Sequence, residues 1–161
     1  MIRLTNLADY AVVLMCEIAL SDSRLSAQDL AKRTRLPLPT VSKILNALSH
    51  GQLLESRRGL KGGFSIAKST DEISVADVIE AIDGPIALTT CAESSGTKEC
   101  SFDDICLMRP RWQVINRSLR LALDNVKLSS LLAPIEDDTL RELLREGSEA
   151  DKVAADDRTL V

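Results

Sequence analysis

Three cysteines, Cys91, Cys100 and Cys106, fall within sixteen residues of one another in a chain of 161. They belong to a polar stretch, Thr89 to Trp112, that is short of aliphatic residues and too irregular for a helix or a strand. Such a segment does not order itself by burying apolar surface. Thiolates are soft ligands that suit zinc or an iron–sulfur cluster. Structural zinc sites commonly use close Cys or His pairs, but the spacing here is C-x8-C-x5-C and the single histidine, His50, lies far away in sequence. A cluster tolerates wider spacing because its iron atoms are spread over a larger core. Three thiolates are one short of the usual four. The fourth ligand must come from another side chain, a partner subunit or a small molecule. A second group able to do chemistry is the basic run Arg57, Arg58 and Lys61 among Gly59, Gly62 and Gly63, which suits phosphate. A thiol oxidoreductase would want a C-x-x-C pair or a cysteine with a nearby histidine. The chain offers neither, so an enzyme is not expected.

Composition agrees with this division. Hydrophobic residues make up 45% of the chain and aromatics only 2%, so the core must be aliphatic and suits helix packed on helix. No apolar run is long enough to span a bilayer, and the start MIRLTNLADYAVVLM, broken by Arg3 and Asp9, lacks a signal-peptide layout. The expected location is the cytoplasm, where cysteines serve as thiols or ligands and not as structural disulfides. The net charge of −4 hides an asymmetry. Ser26 to Lys68 carries eight basic and two acidic residues, whereas Glu136 to Val161 carries four basic and nine acidic. A basic segment with an acidic tail fits a DNA-binding module with a solvated end.

The elements that must position these groups follow in order. Leu4, Leu7, Ala8, Ala11, Leu14, Met15 and Ile18 predict a helix from Asn6 to Leu20, with Cys16 as a small core residue. Ser26 caps AQDLAKRTR, with Asp29 placed for a capping box. Leu36-Pro37-Leu38 makes a turn, and Pro39 opens the helix PTVSKILNALSHG, stopped by Gly51 as C-terminal cap. Its stripe Val41, Ile44, Leu45 and Leu48 faces inward, leaving Thr40, Ser42, Lys43 and Asn46 outward. Two short extended runs around the Gly-rich tip predict a β-hairpin. Helix, helix–turn–helix and hairpin are the order of a winged helix–turn–helix, in which the second helix of the pair enters the major groove and the wing holds phosphate or the minor groove. Ser74 caps VADVIEAIDG, with Val75, Val78, Ile79 and Ile82 inward. After the cysteines, Trp112, Ile115, Leu119, Ala122 and Val126 recur at alternating intervals of three and four, the seam of a helix that wants a partner helix. Asp138 could cap a last helix, TLRELLREG, before a polar end.

The segments RLTNLADYAVVLM, LPLPTVSKILNAL, SRRGLKGGFSIAKS and ISVADVIEAIDGP, with the three cysteines ahead of a Trp-bearing helix, resemble the Rrf-two family. These are winged-helix transcription regulators of the IscR and NsrR type. DYAVVL together with WQVIN is most similar to the branch that regulates the SUF iron–sulfur assembly operon. The resemblance covers residues 1–134. It implies a homodimer, joined through the long helix after the cysteines, that binds a palindromic promoter site according to the state of a cluster. Two departures matter. IscR-like members have five residues between the first two cysteines, where this chain has eight, and they carry a histidine ligand where this chain has Arg109, which cannot ligate. NsrR-like members use an aspartate from the other subunit, and the matching residue is Asp9. The implied ligand set is therefore Cys91, Cys100 and Cys106 of one chain with Asp9 of the other, around a cluster of either the 2Fe-2S or the 4Fe-4S type.

The expected architecture is mainly α: a winged helix–turn–helix over residues 1–84, a cysteine loop over 85–107, a dimerisation helix over 108–134 and an acidic extension over 135–161. Pro39, Thr40, Ser42, Lys43, Arg57, Arg58, Lys61, Gly62 and Gly63 are the expected DNA contacts, with Thr40, Ser42 and Lys43 reading bases. Trp112, Ile115, Leu119, Ala122 and Val126 are the expected dimer contacts. The function expected is a cluster-sensing repressor of iron–sulfur assembly genes. Its alternatives are a nitric oxide or redox-sensing repressor of the same family and a metal-free protein-binding adaptor. No membrane partner is expected.

Overall fold

The computed structural model describes residues 3–59, 62–89, 92 and 106–133. Helix α1, Asn6–Ala19, opens on Thr5, whose hydroxyl accepts from the Ala8 N–H. The same hydroxyl donates to the Asp83 carboxylate at 2.9 Å, tying the helix start to the end of α4, Val75–Asp83. Helix α2, Ala27–Thr34, begins with the expected capping box between Ser26 and Asp29. It stops one residue earlier than expected because Arg35 turns left-handed, at φ 58°. Helix α3, Leu38–His50, starts at Leu38 and places Pro39 in its first turn, where the missing N–H has no partner to lose.

Gly51 follows α3 as its cap, but not in the left-handed conformation that usually selects glycine there: its φ is −72°, and Gln52 takes the positive value of 58°. Glycine is required at 51 for space. A Cβ there would stand 2.9 Å from the Ala81 Cβ of α4. The chain then makes the expected hairpin, β1, Leu54–Arg57, paired antiparallel with β2, Gly63–Ile66. Leu25, between α1 and α2, exchanges backbone hydrogen bonds of 3.1 and 2.8 Å with Phe64, so the wing is stitched to the helical body by a third extended residue. Arg24 adds an ion pair to Glu55 of β1 at 3.2 Å.

The core is aliphatic. Leu14, Met15 and Ile18 of α1, Leu30 of α2, and Val41, Ile44, Leu45 and Leu48 of α3 interlock with Leu53, Leu54, Ile73 and Val78. In α4 the buried residues are Ala76, Val78 and Ile79, while Val75 and Ile82 are half-buried at the margin. A second capping box, Ser74 with Asp77, starts that helix, and Ser74 is itself buried.

Among the described residues, two helices follow the cysteines. Helix α5, Arg109–Asp124, ends before Val126, and a short α6, Leu128–Leu132, follows. Lys127 pairs with Ser74 as an isolated antiparallel bridge. The Val75 N–H donates to the Val126 carbonyl at 2.9 Å and the Leu128 N–H to the Ile73 carbonyl at 2.8 Å. Leu128 is 1% exposed and joins the winged-helix core. The chain thus returns from α5 into the module it left at Gly84. The expected helix after Asp138 lies outside the described residues. No helix among the described residues is long and apolar enough to cross a membrane.

Candidate nucleic-acid interface and cysteine site

The burial of Val41, Ile44, Leu45 and Leu48 fixes which side of α3 meets solvent. Pro39, Lys43, Asn46 and His50 form an exposed ridge at intervals of four, three and four. Ser42 and Ser49 are half-buried beside it, and Thr40 is half-buried off the ridge line. A cleft runs between this helix and the wing, walled by Asn46, Ser49 and His50 on one side and Ser56, Arg57 and Arg58 on the other. Ser26 and Ala27, at the start of α2, close one end of it. The Ser49 Oγ is buried and has no partner among the described residues, leaving an unused hydrogen-bonding group in the cleft wall. Ser26, Ser49 and Ser56 were not expected there. Ser49 follows Ser42 by seven residues and Asn46 by three, so helical spacing alone could have placed it.

Arg57 and Arg58 are exposed on the wing. Lys61 lies outside the described residues. Gly62 and Gly63 have a local reason to be glycine. A Cβ on Gly62 would lie 2.5 Å from the Arg57 carbonyl oxygen, and one on Gly63, at φ 141°, would lie 2.8 Å from the Leu25 carbonyl oxygen. The tip can fold back, and Phe64 can reach Leu25, only without side chains at these positions.

Of the three clustered cysteines, Cys106 is described and Cys91 and Cys100 lie outside the described residues. Cys106 is a free, half-buried thiol, and its carbonyl accepts from the Arg109 N–H at the start of α5. Asp9 is exposed in the first turn of α1. The fourth cysteine, Cys16, is half-buried and packed against the core. Burial, reinforced by the neighbouring Glu17 carboxylate, pushes its thiol above the ordinary range. Cys16 is therefore a neutral packing residue of the winged-helix core. Among the described residues no metal-holding group of three or more ligands assembles. The donor set itself, three thiols with one at the mouth of α5, is chemically suited to an iron–sulfur cluster.

Helix α5 has no fully buried residue. Trp112 and Leu119 are half-buried. Ile115 is 45% exposed, Val126 38%, and Val114 and Leu121, not expected in the seam, are 67% and 45% exposed. Ala122 is exposed with them. The helix is held to the body by polar groups instead. Arg120 makes a bidentate pair with Glu80, Nε to Oε1 at 3.0 Å and Nη2 to Oε2 at 2.9 Å. The Glu80 carboxylate holds the Arg120 guanidinium still more firmly protonated. Asn116, the last residue of WQVIN, bonds the chain that leaves α4.

Known proteins share this fold. The chain is 30% identical over 132 residues to the HTH-type transcriptional regulator IscR of Pectobacterium carotovorum subsp. carotovorum (strain PC1), covering 81% of this chain and 79% of that one. It is 30% identical over 132 residues to IscR of Escherichia coli O1:K1 / APEC, covering 81% and 80%. Two solved structures show the same fold: CymR (YrzC), the global cysteine regulator of B. subtilis, at a TM-score of 0.62, 23% identity and coverage of 82% and 97%, and T. potens IscR at a TM-score of 0.60, 22% identity and coverage of 81% and 86%. These relatives are regulators of transcription and not enzymes. The profile of Rrf2, described as iron-dependent transcriptional regulator, matches residues 4–134, and the chain belongs to the Rrf2 family of DNA-binding transcription regulators.

Proposed function

We propose that this protein is an iron–sulfur-cluster-sensing repressor of cluster-assembly genes of the SUF type, acting in the cytoplasm as a homodimer on a palindromic promoter site. The observation that carries the reading is the position of the cysteine stretch. It leaves α4 of the winged helix and re-enters at Cys106 directly on α5, the helix whose outer face is apolar and exposed. A change in that stretch acts on the element that would set the spacing between two recognition helices.

Cys91, Cys100 and Cys106, with Asp9 of a second copy, would hold the cluster, whose iron would supply reactivity toward oxygen or nitric oxide and a dependence on iron supply. The chain's own residues do the rest. Lys43 and Ser42, with Thr40, meet base edges from α3, and Arg57, Arg58 and Lys61 hold phosphate or the minor groove from the wing. Pro39, Gly62 and Gly63 let the backbone approach the duplex. Ile115, Ala122 and Val126 meet their counterparts across the dimer, with Trp112 and Leu119 at the margin.

Anaerobic purification followed by a visible spectrum, and gel shifts of loaded and cluster-free protein on the upstream DNA of its own gene, test this reading. A brown protein with thiolate-to-iron bands and a DNA affinity that depends on loading are expected. A colourless protein that binds zinc, or DNA affinity indifferent to loading, would count against it. Selective loss of DNA binding after nitric oxide, with cluster-assembly genes unaffected, would favour the nitric oxide sensor, and no DNA binding at all would favour an adaptor.

A further inference from the structure

Asn116 stands near the middle of α5, half-buried against the chain that leaves α4. Its side-chain N–H donates to the Ile86 carbonyl at 2.8 Å, and its side-chain oxygen accepts from the Leu88 N–H at 3.0 Å. A residue of a neighbouring parallel strand would bond the same two groups, so one side-chain amide substitutes for a strand. Glu80 completes the hold: its Oε1 accepts from the Ile86 N–H at 3.4 Å as well as from Arg120, one turn beyond Asn116. Ile86 is thus bonded through both its N–H and its carbonyl, although it belongs to no sheet.

This clasp lies three residues before Cys91 in sequence. At the far end, Cys106 is bonded to Arg109, the first residue of the same helix. Arg109 and Asn116 are seven residues apart, about 10 Å along the axis. The cysteine stretch therefore leaves and re-enters on one rigid helix, with its base already closed.

We propose that Asn116 is a positioning residue for the cysteine stretch. By holding Ile86 and Leu88 on α5 it lowers the cost of bringing Cys91 and Cys100 to Cys106, and it passes the loading state of the stretch to α4 and α5. This inference rests on the cluster-sensing reading and adds a named residue to it. Loop closure costs less when the ends are already near each other, and a ligand shifts an equilibrium only through an element that differs between the two states.

The test uses the full chain with Asn116→Ala, Asn116→Asp and, as a control on exposed surface, Gln113→Ala. Aspartate keeps the size of asparagine and an acceptor for the Leu88 N–H, but sets an oxygen against the Ile86 carbonyl. In the cluster-free protein Asn116→Ala should speed hydrogen exchange at the Leu88 amide by about five-fold, the equivalent of one ordinary hydrogen bond, and Asn116→Asp, which keeps that acceptor, should speed it less. In loaded protein both variants should speed loss of visible absorbance to a chelator by a similar factor. They should also shrink the ratio of DNA affinities between loaded and cluster-free protein. Gln113→Ala should match the unaltered protein in all three. Asn116→Ala with unaltered Leu88 exchange, or both variants with unaltered cluster lifetime, would overturn the inference. So would loss of cooperative unfolding in both Asn116 variants, which would make the role structural. If the unaltered protein takes up no cluster, or binds DNA equally with and without it, the cluster-sensing reading falls and this inference with it. If it senses and both Asn116 variants sense equally well, the clasp alone is wrong.

Discussion

The Leu128 N–H donates to the Ile73 carbonyl across 2.8 Å, and both side chains are buried in one core. Residue 128 follows the cysteine stretch, whereas residue 73 precedes it. The winged helix is therefore finished only when the chain has passed through α5 and come back.

Leu128→Ala should remove about 2–4 kcal/mol of stability, through lost apolar burial and the cavity left behind. Denaturant unfolding should show a lower midpoint. A loss under about 0.5 kcal/mol would mean that α6 is an accessory and not part of the core.

Gly51 and Ala81 should behave as a coupled pair. Gly51→Ala puts a methyl 2.9 Å from the Ala81 Cβ and should cost about 1–3 kcal/mol. Adding Ala81→Gly should recover part of that loss, although glycine inside α4 itself costs about 1 kcal/mol. A double-mutant cycle with no coupling would contradict the contact.

Lys43→Ala and Arg57→Ala should differ in kind. Lys43 lies on the α3 ridge and Arg57 on the wing. The first should weaken binding to the specific site more than to random DNA. The second should weaken both and lower the salt slope by about one. Equal losses on the two DNAs for Lys43→Ala would remove it from base readout.

An acidic residue at position 115 should separate the protomers. Ile115→Glu places a charge on the exposed apolar face of α5 without touching the winged-helix core. Sedimentation should show a shift from dimer to monomer, and affinity for a palindromic site should fall more than affinity for a half-site. An unchanged sedimentation coefficient would move the dimer contact elsewhere.

Cys16 should be the slow thiol. With its thiol pushed above the ordinary 9.0 by burial, then by Glu17, alkylation near pH 8 should label Cys106 first. The same shift gives a pH dependence. The folded state keeps its proton where the unfolded state loses it, so stability should decline as pH rises past about 9. Cys16→Ala should flatten that decline, and a slope unaffected by the substitution would assign it to another group.

Much of the winged helix is legible in local sequence, because local sequence decides it. The Ser26–Asp29 capping box, the stripe along α3 and the glycines of the wing act within a few residues of where they are written. Leu128 is not legible in this way. It sits in the polar context Val-Lys-Leu-Ser-Ser, and only the bridge to Ser74 explains its burial. Gly51 looks like an ordinary left-handed cap until Ala81 is seen opposite it. Of the site, the ridge from Pro39 to His50 follows from the inward stripe, whereas the spacing after the cysteines does not mark which apolar residues of α5 stay exposed: Val114 and Leu121 fall outside the expected seam, and Trp112 and Leu119 within it are half-buried. The role of Asn116 gives no sequence signal, because a helix-borne amide has no chemistry of its own until Ile86 and Leu88 come within reach.

The anchoring of Leu88 and Cys106 to one helix also bears on how the chain can evolve. Residues added between two fixed points leave both points where they were, and doubling the length of such a loop costs only about 0.6 kcal/mol. Eight residues between Cys91 and Cys100 can therefore replace five without disturbing α4, α5 or the wing. The segment between these two anchors can thus change in length while the winged helix that meets DNA is kept.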